Sequence, residues 1–240
     1  MRKGLRKHWK WLIPALLIVA LTVGFLVYAG IYYHADGTAL AALESDGTVE
    51  VSRTDFGWLF DGPSETDALI FYPGAKVEAA AYAPLLHRLA GEGMDVLLVE
   101  MPLRFAIFGM NKAEPLFDRY GYSSWYIGGH SLGGAVAADY ACANPEGLTG
   151  VILLAAYPTK TMDENLVLIS IYGSEDEILN PKRVEAGRAL APKAYAECVI
   201  DGGNHAQFGS YGLQTGDGTA AVSPEEQRRQ TVEAILEHKR

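Results

Sequence analysis

At 240 residues, 49% hydrophobic and 20% charged, the chain has the composition of a globular protein large enough for one domain with a sizeable core. Its formal net charge is -9, but Arg2, Lys3, Arg6, Lys7 and Lys10 are all in the first ten residues, and without them 15 basic residues face 29 acidic ones, a net charge of -14. Such a surface repels nucleic acid and anionic lipid, so a nucleic-acid partner is excluded.

The basic stretch 1–10 is followed by WLIPALLIVALTVGFLVYAGIYY, residues 11–33, without a charge. At about 1.5 Å per residue this run is roughly 34 Å long, enough for a hydrocarbon core of about 30 Å. Trp9, Trp11, Tyr28, Tyr32 and Tyr33 lie near its ends, where amphipathic rings favour the membrane interface. Basic residues before the run and Asp36, Glu44 and Asp46 after it predict a cytoplasmic N-terminus, a transmembrane signal-anchor helix at 11–33 and an extracytoplasmic remainder. Val27-Tyr28-Ala29 has the small-residue spacing of a signal-peptide cleavage site, so secretion after cleavage is the alternative. Residues 34–47 read as a short juxtamembrane segment and 48–240 as the folded domain. Cys142 and Cys198 are expected to be buried thiols without a bridge.

From residue 48 on, apolar or β-branched runs recur at 49–51, 68–72, 96–99, 125–127, 151–155, 167–172 and 196–200. Helix-like stretches fall at 77–89, 134–143, 182–190 and 224–238. Strands that are apolar throughout belong to a parallel sheet covered on both faces, and their alternation with helices predicts a doubly wound, mainly parallel α/β fold. Asn180-Pro181 and Ser223-Pro224 each place a capping residue before a proline at the first helical position, and Glu226 completes a capping-box pattern.

Residues 125–134, WYIGGHSLGG, join a predicted strand to a predicted helix. Gly129-His130-Ser131-Leu132-Gly133 is G-x-S-x-G in the setting of a nucleophile elbow, where a sharp turn presents Ser131 above the sheet. A serine hydroxyl needs a base. Of six histidines, His8 and His34 flank the apolar run, His87 and His238 fall on helices and His130 is inside the elbow, which leaves His205, in a loop after a late strand. A carboxylate between the two in sequence is expected to orient the base, and Asp176, in the turn after the strand at 167–172, is the choice, with Glu175 and Glu177 as nearby alternatives. The oxyanion donors are expected to be the backbone N–H of Leu132 and one from the loop Pro73-Gly74-Ala75-Lys76, best Ala75, with Gly74 and Lys76 as alternatives.

FYPGAKVEAAAYAPLLHRLA, MPLRFAIF, IGGHSLGGAVAADYA, YGSEDEILN and GGNHAQFGSYGLQTGDGTA together resemble the small single-domain hydrolases called the α/β-hydrolase fold-5 family, distant relatives of dienelactone hydrolase. The resemblance covers roughly residues 45 to 238 and leaves the apolar run outside. It implies an α/β-hydrolase sheet without a sizeable cap domain and Ser131, Asp176 and His205 as catalytic triad. Serine stands where dienelactone hydrolase has cysteine, so its substrate is not carried over.

Pro158 to Asn165 are too few for a helical cap, which predicts an open site. Residues 101–121 form the one sizeable apolar loop, expected either to wall the pocket or to bury Ala106, Ile107 and Phe108 in the core. Phe208 to Gly212 are expected to shape the acyl or alcohol side. Gly216-Asp217-Gly218 hints at a metal loop, but with no second ligand cluster no metal and no cofactor are expected. The sequence thus predicts a serine hydrolase of the carboxylesterase type, tethered through residues 11–33 to the lipid bilayer and acting on a small-molecule ester or thioester. An acyltransferase using the same acyl-enzyme on an envelope glycan or lipid, or a non-catalytic binding module, is the alternative.

Overall fold

The computed structural model describes residues 5–240. The chain divides into two compact units, one ending at Tyr32 and the other running from Tyr33 to Arg240. The first unit is helix α1 (Leu5–Gly30). Of the basic stretch, residues 1–4 lie outside the described residues. Trp11–Gly30 are long and apolar enough to cross a membrane, a composition that a signal sequence shares.

The second unit is built on eight strands: β1 (Glu50–Arg53), β2 (Gly57–Asp61), β3 (Asp67–Tyr72), β4 (Asp95–Val99), β5 (Ser124–His130), β6 (Leu148–Leu154), β7 (Val167–Gly173) and β8 (Ala194–Ile200). They form one sheet in the order β1-β2-β4-β3-β5-β6-β7-β8, antiparallel at β1/β2 and β2/β4 and parallel elsewhere. This is the α/β-hydrolase sheet. Neighbouring residues of a strand point to opposite faces, so two cores result. Leu69, Phe71 and Tyr126 meet Leu85, Leu86 and Leu89 of α3 (Ala83–Gly91) and Val232 and Ile235 of α7 (Pro224–His238). Ala68, Ile70 and Ile127 meet Leu116 of α4 (Glu114–Arg119) and Val136 and Ala137 of α5 (Leu132–Ala143). Burying one such aliphatic side chain contributes about 1.5–3 kcal/mol, which explains why the central strands are apolar on both faces.

The predicted capping residues act as caps. Asn180 accepts from Lys182 N and Arg183 N at the start of α6 (Pro181–Arg188), and Ser223 Oγ accepts from Glu226 N at 3.1 Å at the start of α7. Glu226 does not return the bond to Ser223; its carboxylate takes Arg229 and Gln230 instead. Cys142 and Cys198 are free and only partly buried.

Two segments differ from the sequence reading. Residues 34–47, expected as a juxtamembrane segment, are packed into the second unit: helix α2 (Gly37–Ala41) starts on the Asp36 side chain, Asp36 N donates to Ser210 O, and Ala39 is fully buried. Of Ala106, Ile107 and Phe108 in the apolar loop, Ala106 is buried, whereas Ile107 and Phe108 are exposed.

The start of β4 carries a buried carboxylate. Asp95 Oδ1 accepts from Gly62 N at 2.8 Å and Oδ2 from Tyr122 Oη at 2.7 Å, and burial pushes its carboxyl up to about 6 from 3.8. A raised folded-state value means that the folded chain holds the proton more tightly than the unfolded one, so the associated stability is present at low pH and lost as pH rises through that window. Wild type should therefore lose stability relative to Asp95→Asn as the pH is raised from about 4 to about 6. Urea denaturation curves of the two proteins across this range check it; a constant difference would contradict it.

Candidate active site

The strand order reverses at β3, which has β4 on one side and β5 on the other. Ligands of open α/β sheets bind in the crevice at the carboxyl ends of the strands flanking such a reversal. The loop holding Ala75 leaves the end of β3, and Ser131 follows β5 immediately.

Ser131 occupies φ 53°, ψ -123°, a strained region for a residue with a side chain and one that costs about 1–3 kcal/mol. The surrounding backbone holds it there. Ser131 N donates to Leu154 O at 2.9 Å, and its own carbonyl accepts from Ala135 N at 3.0 Å as α5 begins. Glycine at 129 and 133 is a matter of space: a Cβ on Gly129 would lie 2.3 Å from Tyr72 O, and one on Gly133 2.1 Å from the same atom.

Asp176 lies in the turn after β7 and His205 in the loop after β8. His205 Nδ1 and Asp176 Oδ2 are 2.8 Å apart, with both side chains 1% exposed. Asp176 Oδ1 accepts from the N–H groups of Ile178 and Leu179, so both carboxylate oxygens are engaged as acceptors. An acceptor at Nδ1 puts the ring proton there and leaves the lone pair on Nε2. That Nε2 is buried and makes no hydrogen bond among the described residues. Ser131 and His205 line the same cavity without a hydrogen bond between them. Glu175 and Glu177 are exposed, and Glu175 takes Ser174 Oγ rather than the imidazole.

Among the three candidate donors of the loop after β3, two are committed. Gly74 N donates to Tyr82 Oη at 3.0 Å and Lys76 N to Arg104 O at 2.9 Å. The N–H of Ala75 makes no hydrogen bond among the described residues. Leu132 is the first residue of α5, where an N–H has no helical acceptor.

Two groups beneath the site escaped the sequence reading. Tyr82, placed within a predicted helix, has its hydroxyl 2.8 Å from Nδ1 of His130. Since Tyr82 Oη accepts from Gly74 N, its own proton goes to His130, whose ring is neutral: burial first, and then the neighbouring His205, hold its pKa well below the usual value. The second is Asp217. Its carboxylate accepts from the N–H groups of His205 (3.2 Å), Ala206 (2.8 Å) and Gly218 (2.9 Å), holding the loop that carries His205. Gly216-Asp217-Gly218 thus serves backbone donors; among the described residues no cluster of three or more His, Cys, Asp or Glu is suited to a metal.

The cavity over Ser131 has a volume of about 250 Å³ and is walled by Leu132, Ala135, Ala156, Tyr157, Ile178 and Leu179. No helix lies between β6 and β7 to cover it. The apolar loop lines a separate cavity beside Pro73, through Met101, Leu103 and Arg104. Tyr82→Phe should leave Gly74 N–H and His130 Nδ1 without partners and lower unfolding stability by about 1–3 kcal/mol in urea denaturation. An unchanged midpoint would show that the buried pair does not depend on the hydroxyl.

Residues 68–229, more than half of the chain, match the family described as the alpha/beta hydrolase family. No curated protein matches the chain in sequence. Among solved structures, the monoacylglycerol lipase of Paleococcus ferrophilus superposes with a TM-score of 0.60 at 17% identity, over 79% of this chain and 100% of that one. Carboxylesterase CesB from Bacillus subtilis gives 0.56 at 10% identity, over 83% and 94%. A membrane phospholipase A described as a bacterial virulence factor gives 0.55 at 13% identity, over 95% and 98%. At these identities the likeness is one of fold, and the family match carries the assignment: the chain belongs to the alpha/beta hydrolase family.

Proposed function

We propose that the chain is a membrane-tethered, extracytoplasmic serine hydrolase that cleaves a carboxylic ester or thioester through an acyl-enzyme. The observation that carries this reading is the buried contact of 2.8 Å between His205 and Asp176, beside a cavity that both His205 and Ser131 line. Ser131 Oγ attacks the carbonyl carbon while His205 Nε2 takes its proton, and Asp176 stabilises the imidazolium. Charge on the carbonyl oxygen falls to the N–H groups of Leu132 and Ala75. The leaving alcohol or thiol departs with the proton from His205. A water then loses a proton to the same nitrogen, attacks the acyl-enzyme, and releases the acid and free Ser131.

The names of the similar structures, a monoacylglycerol lipase, a carboxylesterase and a membrane phospholipase A, support ester chemistry, and the apolar helix supports the tether. A fluorophosphonate probe should label the wild type and fail to label Ser131→Ala. Ser131→Ala and His205→Ala should reduce ester turnover by about 10⁴- to 10⁶-fold, with Asp176→Asn milder than the serine change. Folded protein that takes no label, or equal labelling of Ser131→Ala, would refute the reading.

A further inference from the structure

Tyr33 is the first residue of the catalytic unit, and only Ile31 and Tyr32 separate it from Gly30, the last residue of the apolar span. Three virtual bonds span at most about 11 Å, so a span fixed in a bilayer keeps Tyr33 within that distance of its end by covalent reach alone. Tyr33 is in turn tied to the loops that build the site. Its N–H donates to Lys76 O at 2.7 Å, its carbonyl accepts from Glu78 N at 2.9 Å, and it forms a parallel bridge with Val77. Lys76 is the residue after Ala75. On the other side, the ring of Tyr33 lies 5.4 Å from that of Tyr211, and Thr215 N donates to Tyr33 Oη, both in the loop that follows His205.

The same loops present apolar side chains to solvent. Lys76 N donates to Arg104 O, and beside Arg104 are Leu103, 43% exposed, and Ile107, 53% exposed. Leu103 and Arg104 both have positive φ, 52° and 62°, a backbone conformation held at a cost with an apolar side chain in water. Leu213, between Tyr211 and Thr215, is 92% exposed. Exposed apolar side chains on the segment bonded to Lys76 and on the loop that follows His205 call for an apolar partner. The short connection names it.

We propose that Leu103, Ile107 and Leu213 dock the catalytic face on the bilayer, and that the ester delivered to Ser131 is an acyl ester of a membrane-resident lipid. The inference rests on the tethered-hydrolase reading above. The cavity fits this substrate: at about 250 Å³ it is smaller than the roughly 300–1,000 Å³ of pockets that engulf a whole ligand, so the ester end enters while the rest of the tail stays in hydrocarbon. The net charge of -14 outside the basic stretch makes this contact apolar rather than electrostatic.

The test uses the full chain in phosphatidylcholine vesicles with two substrates, p-nitrophenyl acetate in the water and 1-palmitoylglycerol in the bilayer. The combined variant Leu103→Asp, Ile107→Asp, Leu213→Asp should lose at least about tenfold in kcat/KM on the embedded ester and stay within about twofold on the acetate. Leu213→Asp alone, at a side chain too exposed to disturb folding, should show the same split in smaller measure. Unchanged hydrolysis of the embedded ester by both variants, equal losses on both substrates by Leu213→Asp, or a wild type that cleaves the acetate but not the embedded ester would overturn the proposal. So would a variant whose oligomeric state alone changes, which would assign these side chains to a second copy of the chain. Failure of the wild type to cleave the acetate refutes the hydrolase reading instead, and its release from vesicles by alkaline carbonate refutes the tether.

Discussion

The carbonyl oxygen of Tyr72 lies where a side chain on Gly129 or Gly133 would have to begin, 2.3 and 2.1 Å from the two positions. This close approach of the end of β3 to the turn after β5 governs the rest of the site. It fixes Ser131 in a conformation that an unconstrained chain would leave, points the first turn of α5 at the crevice, and sets the loop of Gly74 and Ala75 against that turn. The two apolar faces of the sheet supply the rigidity that holds the strain. A comparable contact operates at the other end of the site. A Cβ on Gly173 would meet the carbonyl oxygen of Gly203 at 2.1 Å, so glycine there lets the loop after β8 close onto the turn after β7 and brings His205 to Asp176.

Around these contacts, buried polar groups are satisfied by neighbours that each serve a loop. Asp176 takes two backbone N–H groups besides the imidazole, Asp217 takes three, and Tyr82 joins Gly74 to His130. An unsatisfied buried donor costs about 1–3 kcal/mol, so each of these side chains does more than fill space. Among the described residues the N–H of Ala75 and Nε2 of His205 are left without partners, as are the buried His130 Nε2 and Gln207 Oε1.

The parts of this arrangement visible in the sequence are those with a local signature. Apolar runs locate the central strands because both their faces are covered, and Ser131 is marked by glycines whose spacing reflects the steric demand at Tyr72 O. Asn180 and Ser223 announce helices because capping is a contact between near neighbours. Strand β2 went unread, since only Gly57 and Phe60 of Gly57-Trp58-Leu59-Phe60-Asp61 are buried and it pairs at the antiparallel edge. Residues 34–47 look like a polar connector because their partners, Glu78 and Ser210, are far away in the chain. Tyr82 and Asp217 were missed for the same reason: their roles come from long-range contacts, across 48 residues to His130 and 12 to His205.

The central claim is that Ser131 carries the acyl group. Mixing the protein with p-nitrophenyl acetate, quenching with acid within a turnover and mapping the peptides by mass spectrometry tests it directly. The account predicts a single acetyl group on the peptide that contains Ser131, localised to that residue by fragmentation. Turnover with the acetyl group on another residue, or with no acylated peptide while Ser131 stays unmodified, would contradict it.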